Sequence, residues 1–386
     1  MTLALTDEQE LLRSTAADFV DREVVPHRVR WDRDELVDRG IVARLGELGF
    51  LGLTLDEEFG GTPVDHRSYC LVMEELGRGD SAVRGIVSVS LGLVGKTIAA
   101  YGSDELRKDW LPRIASGETL ACFGLTEPDT GSDAGNLATR AIRDGGDWLL
   151  SGEKVFITNG TWAQVALIFA RSGQPGPKGI TAFLVPTDSP GFTATEIKGK
   201  LGLRGQATAS LRLDDVRVPD RLRVGEAGQG FRLAMSALDK GRMSIAAGCV
   251  GIARGCLEVA TAYAKERVQF GKPIAGHQLV QELLADTAVD VDAGRMLAWL
   301  AADLLDRGQP ASTVSTAASK AKLFASEAAV RAANSCLQVF GGYGYVDEYP
   351  VGKYLRDARV MTLYEGTSQI QKLIIGRSLT GVSAFG

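Results

Sequence analysis

The spacing of apolar residues changes period twice along this chain, and that change limits the fold more than any other feature. Thr6 followed by Gln9 makes a capping-box pattern, after which Leu11, Leu12, Ala16, Phe19 and Val20 recur at helical spacing up to Pro26. Further helices are predicted over 34–48, 64–76, 81–101 and 104–116, parted by glycine-bearing turns such as GFLGL and EEFGG. From Thr119 the period shortens. WLLSGEKVFITNG, VALIFARS, ITAFLVPTD, GFTATEIKG and ASLRLDDVRVPD are apolar or alternating stretches broken by Gly, Pro, Asn and Asp. They predict a small antiparallel β domain ending near Val224. After GEAGQG the helical period returns in alanine-rich stretches over 230–269, 277–306 and 312–339, with a shorter helix after Tyr349 and a last one from Thr367. Helices of that length predict a bundle.

The order helical, β, helical describes an α+β chain that is mainly α. The expected parts are an N-terminal helical domain over 1–120, a central antiparallel β domain over 121–228 and a C-terminal helical bundle domain over 229–386. No strand–helix alternation supports a Rossmann sheet. The glycines at 225, 228 and 230 therefore read as an interdomain hinge and not as a dinucleotide fingerprint.

Composition narrows the chemistry. A chain of 386 residues suggests two or three domains. Forty-three basic and 48 acidic residues, scattered in sign and summing to −5, argue against a nucleic-acid partner. The three histidines, His27, His66 and His277, stand apart, so a multi-histidine metal centre is hard to build. Five cysteines form no CxxC pair and are odd in number, which fits a reducing cytoplasm better than a disulfide framework. MTLALTDEQELLR lacks a basic region followed by an apolar one, and no run of about 18 apolar residues occurs, so the protein reads as soluble and untargeted, with no integral membrane segment. The 46 glycines, beside a hydrophobic content of 45%, point to loops that admit close backbone contact.

Four segments carry chemistry. CFGLTEPDTGSDAGN (122–136) sets hydroxyls of Thr126, Thr130 and Ser132 among glycines, which suits a ligand lying against backbone N–H groups; a plain interdomain loop is the alternative. In ERVQFGKPIAGHQLVQ (266–281), Arg267 precedes a Phe-Gly turn and Gln278 starts the next helix, an arrangement for an anionic phosphate group. His277 there reads as a capping or packing residue. QVFGGYGYV (338–346) brings bare backbone to a cofactor edge or makes a tight interhelical turn. In YEGTSQIQ (364–371), Glu365 stands just before a helix begun by Gly366 and Thr367, so its carboxylate either enters a cleft or complements the helix dipole.

Taken in order, these segments resemble those of the acyl-CoA dehydrogenase family, and the resemblance runs through the whole chain to LIIGRSLTG. It implies a C-terminal four-helix bundle, FAD held between domains, and dehydrogenation of an acyl-CoA or acyl-carrier-protein thioester to the trans-2-enoyl product. It also implies a homo-oligomer, most often a tetramer, and an electron-transfer flavoprotein as electron acceptor. The family's base matches Glu365. Some relatives carry it on the first bundle helix, where LDKGR places Gly241, so Glu365 is the candidate here. A carboxylate whose pKa burial raises can take a weakly acidic thioester α-proton, while flavin N5 accepts the β-hydride. An acyl-CoA oxidase or related oxygen-using flavoenzyme on the same fold is the alternative.

By the same resemblance Phe123, Leu125, Thr126, Gly131 and Ser132 line the flavin, with Phe156, Ile157 and Thr158 beside its ring system. Arg267, Phe270, Gln278, Gln338, Gly341 and Gly342 would reach the FAD of a neighbouring subunit. Thr367 and Gln369 would contact FAD from the last helix. Ser132, Asp239, Arg242, Tyr364 and Gly366 match substrate-side positions, the alternative for Asp239 and Arg242 being an exposed helix pair. Arg84, in DSAVRGIVSV, matches an arginine that glutaryl-CoA dehydrogenases use for a distal carboxylate, and CFGLTEP and LTGVSAF lean the same way. The glutamate that accompanies it there falls on Gly77 here. A structural ion pair or a helix-surface role is the alternative for Arg84.

Overall fold

The computed structural model describes residues 4–384. The first three residues of MTLALTDEQELLR and Phe385 of LTGVSAF lie outside the described residues.

Helix α1 (Asp7–Phe19) opens with the predicted capping box, in which Gln9 N–H donates to Thr6 Oγ1 and Thr6 N–H to Gln9 Oε1, each at 3.2 Å. Of the helix expected over 34–48 only α3 (Ile41–Glu47) forms, and an unpredicted helix α2 (Arg28–Asp34) precedes it. The break falls at Glu35, whose φ is +52° and whose carboxylate accepts from Gly199 N–H at 2.9 Å, while Val37 N–H donates to Gly205 O at 3.0 Å. Contacts with the β domain make this turn, and helical periodicity carries no sign of them. Helix α4 (His66–Gly79) leads through Asp80 into a continuous helical run: α5 (Ser81–Val87), a π-helical stretch Ser88–Gly95, and α6 (Lys96–Tyr101); α7 (Asp104–Ala115) follows.

The central sheet has eight strands: β1 (Ala121–Gly124), β2 (Arg140–Asp144), β3 (Asp147–Thr158), β4 (Val165–Arg171), β5 (Ile180–Pro186), β6 (Phe192–Glu196), β7 (Thr208–Pro219) and β8 (Arg223–Val224). Their order is β6-β7-β3-β2-β4-β5-β8, with β1 beside β4. Pairing is antiparallel except for β1 with β4 and a single parallel β2–β4 pair. The register of β3 on β7 shifts between Lys154 and Ile157, and Phe156 there has φ +60°. This bulge throws the Phe156 ring outward, 68% exposed, while Ile157 stays buried.

The bundle contains α8 (Gly230–Glu266), α9 (Gln278–Asp306) and α10 (Ala311–Phe340), followed by α11 (Val351–Met361) and α12 (Ser368–Thr380). The helix expected to reach 269 stops at Glu266, and β9 (Val268–Gln269) and β10 (Lys272–Pro273) make a hairpin turned by Phe270 and Gly271, both at positive φ. Ser81–Tyr101 and Gly230–Glu266 are long and apolar enough to cross a membrane, but both are mostly buried inside the protein, as core helices are.

Helix α4 approaches α8 very closely. A Cβ on Gly77 would come within 2.3 Å of Gly248 O, and one on Gly251 within 2.0 Å of Glu74 O. Only glycines permit that approach, and it joins the N-terminal helices to the bundle. The three parts also meet at a buried ionic cluster, where Lys353 Nζ pairs with Asp80 at 3.0 Å and with Asp357, which accepts from Leu203 N–H at 2.6 Å.

Candidate active site

Glu365 lies between α11 and α12 with φ +52°, followed by Gly366 at +90°. Thr367 caps α12 by accepting from Ile370 N–H at 3.3 Å. The Glu365 side chain does not serve that helix end. Its Oε2 is shut off from solvent, has no hydrogen-bond partner among the described residues, and lies over Gly241 of α8, where an added Cβ would stand 2.1 Å away. Glu365, the expected base, thus faces the position at which some relatives were expected to carry theirs, and the bare glycine there makes room for the carboxylate. Burial pushes the Glu365 carboxyl up to about 7, against the charges of Arg84, Arg242 and Lys322, which hold it from going higher. A carboxyl poised near neutrality in a closed site is suited to general-base work. Among the described residues, Glu365 N–H donates to no protein acceptor.

The turn itself is held from outside. Gln371 Nε2 donates to Glu365 O at 3.2 Å and to Gly366 O at 2.8 Å; Lys322 Nζ donates to Gly366 O at 2.8 Å, and Arg242 Nε to Glu365 O at 3.4 Å. Arg242 and Asp239 are not the exposed pair that sequence left open. Arg242 is 5% exposed and bonded to Asp239, which also accepts from Ser315 Oγ at 2.8 Å. Burial lowers the Arg242 guanidinium and raises the Asp239 carboxyl, partly offset by their mutual attraction.

Arg84 is 1% exposed on α5, so it is no helix-surface residue, and among the described residues no carboxylate lies within ion-pair distance. Its Nη2 donates to Tyr364 Oη at 2.8 Å, while Nε and Nη1 have no partner among the described residues. Gly248 makes space for it, since a Cβ there would meet Arg84 Cδ at 2.2 Å. A glutamate at Gly77 is sterically impossible beside the Gly248 backbone, which explains its absence. One helical turn on from Arg84, the Ser88 hydroxyl lies 3.1 Å from that of Ser244, which accepts from Tyr69 Oη at 3.1 Å. Tyr69, Ser88, Ser244, Lys322 and Gln371 were not singled out from sequence; helical spacing alone makes them indistinguishable from core and surface positions.

The predicted flavin-lining segments lie together. Val155 N–H donates to Thr126 O at 3.0 Å, setting the 122–136 loop beside the β3 bulge. Phe123 and Leu125 are buried beneath, Ser132 is exposed, and a Cβ at Gly131 would meet nothing within 4 Å. Ile157 departs from expectation in one respect: its side chain is 2% exposed, so only its backbone can face a ligand. Thr158 Oγ1 bonds Gln206 at 3.3 Å, and Gln369 is exposed on α12.

Arg267, Gly341 and Gly342 line a separate open cavity of about 760 Å³, together with Tyr263 and Tyr343, and no residue of the first group borders it. The Arg267 guanidinium sits 5.5 Å over the Tyr343 ring; Phe270, Gln278 and Gln338 are exposed. His277 stands at the start of α9 but caps nothing with its ring, which packs 5.9 Å from Phe270. Bare glycine backbone at the loop and a cation beside an open cavity fit the two ends of a dinucleotide such as FAD, at sites a single chain keeps apart.

Comparison with known proteins agrees with this geometry. Residues 6–118, 122–216 and 228–380 match the family models described as the N-terminal, middle and C-terminal domains of acyl-CoA dehydrogenase. The chain is 42% identical to an acyl-CoA dehydrogenase of Bacillus subtilis (strain 168), covering 98% of this chain and 99% of that protein. It superposes on butyryl-CoA dehydrogenase from Megasphaera elsdenii with TM-score 0.95 at 36% identity, covering 98% and 100% of the two chains. It superposes on a glutaryl-CoA dehydrogenase from Mycobacterium smegmatis in complex with FADH2 with TM-score 0.93 at 38% identity, covering 99% and 97%.

Proposed function

This chain belongs to the acyl-CoA dehydrogenase family, oxidoreductases acting on CH–CH bonds, and from that premise we propose which of its residues do the work. Glu365 takes the α-proton of the acyl thioester. Its unpaired, solvent-excluded Oε2 over Gly241 is the observation that carries this reading. The free Glu365 N–H stabilises negative charge developing on the thioester oxygen. FAD, when bound, supplies the acceptor for the β-hydrogen. Thr126, Gly131 and the Phe156–Thr158 bulge hold one end of it, and Arg267, Gly341 and Gly342 of a second copy hold the other, which makes the working enzyme an oligomer, a tetramer in this reading. Electrons leave through an electron-transfer flavoprotein.

Arg84 selects the acyl group. A buried guanidinium with two unpaired donor nitrogens, Nε and Nη1, close to the base suits a short chain ending in a carboxylate. Coenzyme A and a carrier protein both present such a thioester. Five buried free cysteines suit a reducing compartment such as the cytoplasm.

The test is Glu365→Gln in the purified flavoprotein, assayed against ω-carboxylated and simple acyl thioesters. Bound FAD with turnover lost is the expected result, and normal turnover would overturn the reading. Peroxide formed in step with product, with no acceptor added, would replace the dehydrogenase by an oxidase.

A further inference from the structure

Lys322 is a buried cation that the chemistry above does not use. It sits on α10 at 0% exposure, and among the described residues no carboxylate lies within ion-pair distance of it. Its Nζ donates instead to Gly366 O at 2.8 Å, directly behind the base. An ammonium buried without an acid partner is costly, so its place on this carbonyl calls for a reason.

The Glu365–Gly366 turn supplies that reason. A non-glycine residue at φ +52° followed by a glycine at +90° persists only where its surroundings over-determine it. Gly366 O takes two donors, Lys322 Nζ and Gln371 Nε2, each at 2.8 Å. Of these only Lys322 brings charge.

We propose that Lys322 is a positioning residue for proton abstraction: by holding the Gly366 carbonyl it keeps the turn that aims Glu365 at the substrate, and its ammonium sets the charge that the carboxylate faces. The inference rests on Glu365 being the base. The charged groups around that carboxylate are Arg84 on α5, Arg242 on α8 and Lys322 on α10. Lys322 in turn faces Cys249 and Arg242 on α8, Glu327 on its own helix, and Glu365. Arg242 shares its charge with Asp239 and Arg84 is bonded to Tyr364, whereas among the described residues the Lys322 ammonium hydrogen-bonds to the backbone of the turn alone. Burial pushes the Lys322 amine down to about 8, so above that pH the ammonium is lost and the carboxylate is left with two cations.

Three holoenzyme variants test this: Lys322→Met, which removes donor and charge, Lys322→Gln, which removes charge but keeps a donor, and Lys322→Arg, which keeps both. Expected for Met is a fall in kcat of about tenfold or more with KM little changed, slower washout of substrate α-deuterium into water, and an acidic limb of kcat/KM moved to higher pH. Glutamine moves the limb by a like amount with a smaller loss of rate, and arginine leaves the limb in place. An unmoved limb with unchanged deuterium washout overturns the proposal, whatever happens to melting temperature. If neither Met nor Gln gives folded, flavin-binding protein, Lys322 is a folding residue and the proposal likewise falls. Should Glu365→Gln keep full activity while Lys322 variants lose theirs, the assignment of the base fails, and this inference with it.

Discussion

The Glu365 carboxylate, on the turn between α11 and α12, and the bare α-carbon of Gly241 on α8 face one another, close enough that a methyl group on 241 would overlap Oε2 at 2.1 Å. Leu93 Cδ2 would be the next neighbour, at 3.0 Å. Both obstacles are the far ends of flexible side chains, so Gly241→Ala folds. The carboxylate, however, must swing away from its place. A displacement of about 1 Å costs on the order of a hundredfold in rate. The expected outcome is a melting temperature within a few degrees of the parent, full flavin content, and kcat down by about two orders of magnitude in stopped-flow flavin bleaching.

The acidic limb of activity follows from the same burial. Glu365 must be ionised to accept a proton, and its carboxyl is pushed up to about 7. Activity therefore rises with pH up to neutrality, with kcat/KM falling tenfold per pH unit well below it. A free-enzyme limb near 4.5, the ordinary value for glutamate, would show that the carboxylate is solvated and the site open.

Stability responds in the opposite sense. Because the folded-state value is raised above that of the unfolded chain, the folded protein prefers the neutral acid, and stability is lost as pH rises from about 4.5 through about 7. Glu365→Gln removes the penalty. At about 1.4 kcal/mol per pH unit, the variant should exceed the parent by about 3–4 kcal/mol at pH 8 and by less than about 1 kcal/mol at pH 5. Denaturant midpoints at the two pH values measure the difference; a gap that does not widen with pH counts against a buried, unpaired carboxylate.

Much of this site was legible in sequence because its signals are local. The capping box of α1, the alternating strands and the order of Glu365, Gly366 and Thr367 before α12 each follow from neighbours in the chain. What sequence hid is what distant segments do to one another. The break at Glu35 comes from Gly199 and Gly205, 164 residues and more away. The parallel β1–β4 pair needs no alternation signal that differs from an antiparallel one. Lys322 lies in an alanine-rich helix where a lysine reads as solvated, and only the fold shows it at 0% exposure behind Gly366. Arg84 reads in sequence as an ion-pair or helix-surface residue for the same reason, and the fold buries it at 1% exposure.

Arg84→Gln separates a selective role from a structural one. The guanidinium has one bond to Tyr364 and two idle donor nitrogens, so replacing it removes a buried charge without breaking an ion pair. The protein should stay folded with unchanged or raised melting temperature. A charge-assisted bond to substrate is worth about 1.5–3 kcal/mol, so kcat/KM for a short ω-carboxylated thioester should fall about 10- to 150-fold. Butyryl thioester should react as before above the acidic limb, which itself moves to higher pH because a cation beside Glu365 is gone. Equal losses on both substrates would leave Arg84 as a setter of the Glu365 charge and not as a selector.

The TEP loop offers the last test, because its anchor is ionic and buried. Lys154 on β3, at 0% exposure, donates to Glu127 Oε1 at 2.7 Å, and Glu127 also accepts from Thr139 N–H at 2.9 Å. Burial raises the Glu127 carboxyl, but the Lys154 charge and these hydrogen bonds outweigh it and leave it lowered; burial brings the Lys154 amine down to about 8 despite its partner. Glu127→Ala abandons a buried ammonium and two loop N–H groups together, a loss of about 3–5 kcal/mol. The paired change Glu127→Leu with Lys154→Met removes both charges, so it should recover much of the stability. It cannot restore the acceptor for Thr139 N–H, and the 126–132 segment beside the β3 bulge stays loose. Flavin dissociation should therefore remain faster than in the parent while the melting temperature returns most of the way. If flavin release and melting temperature recover together, the pair acts on the core alone and does not hold the loop.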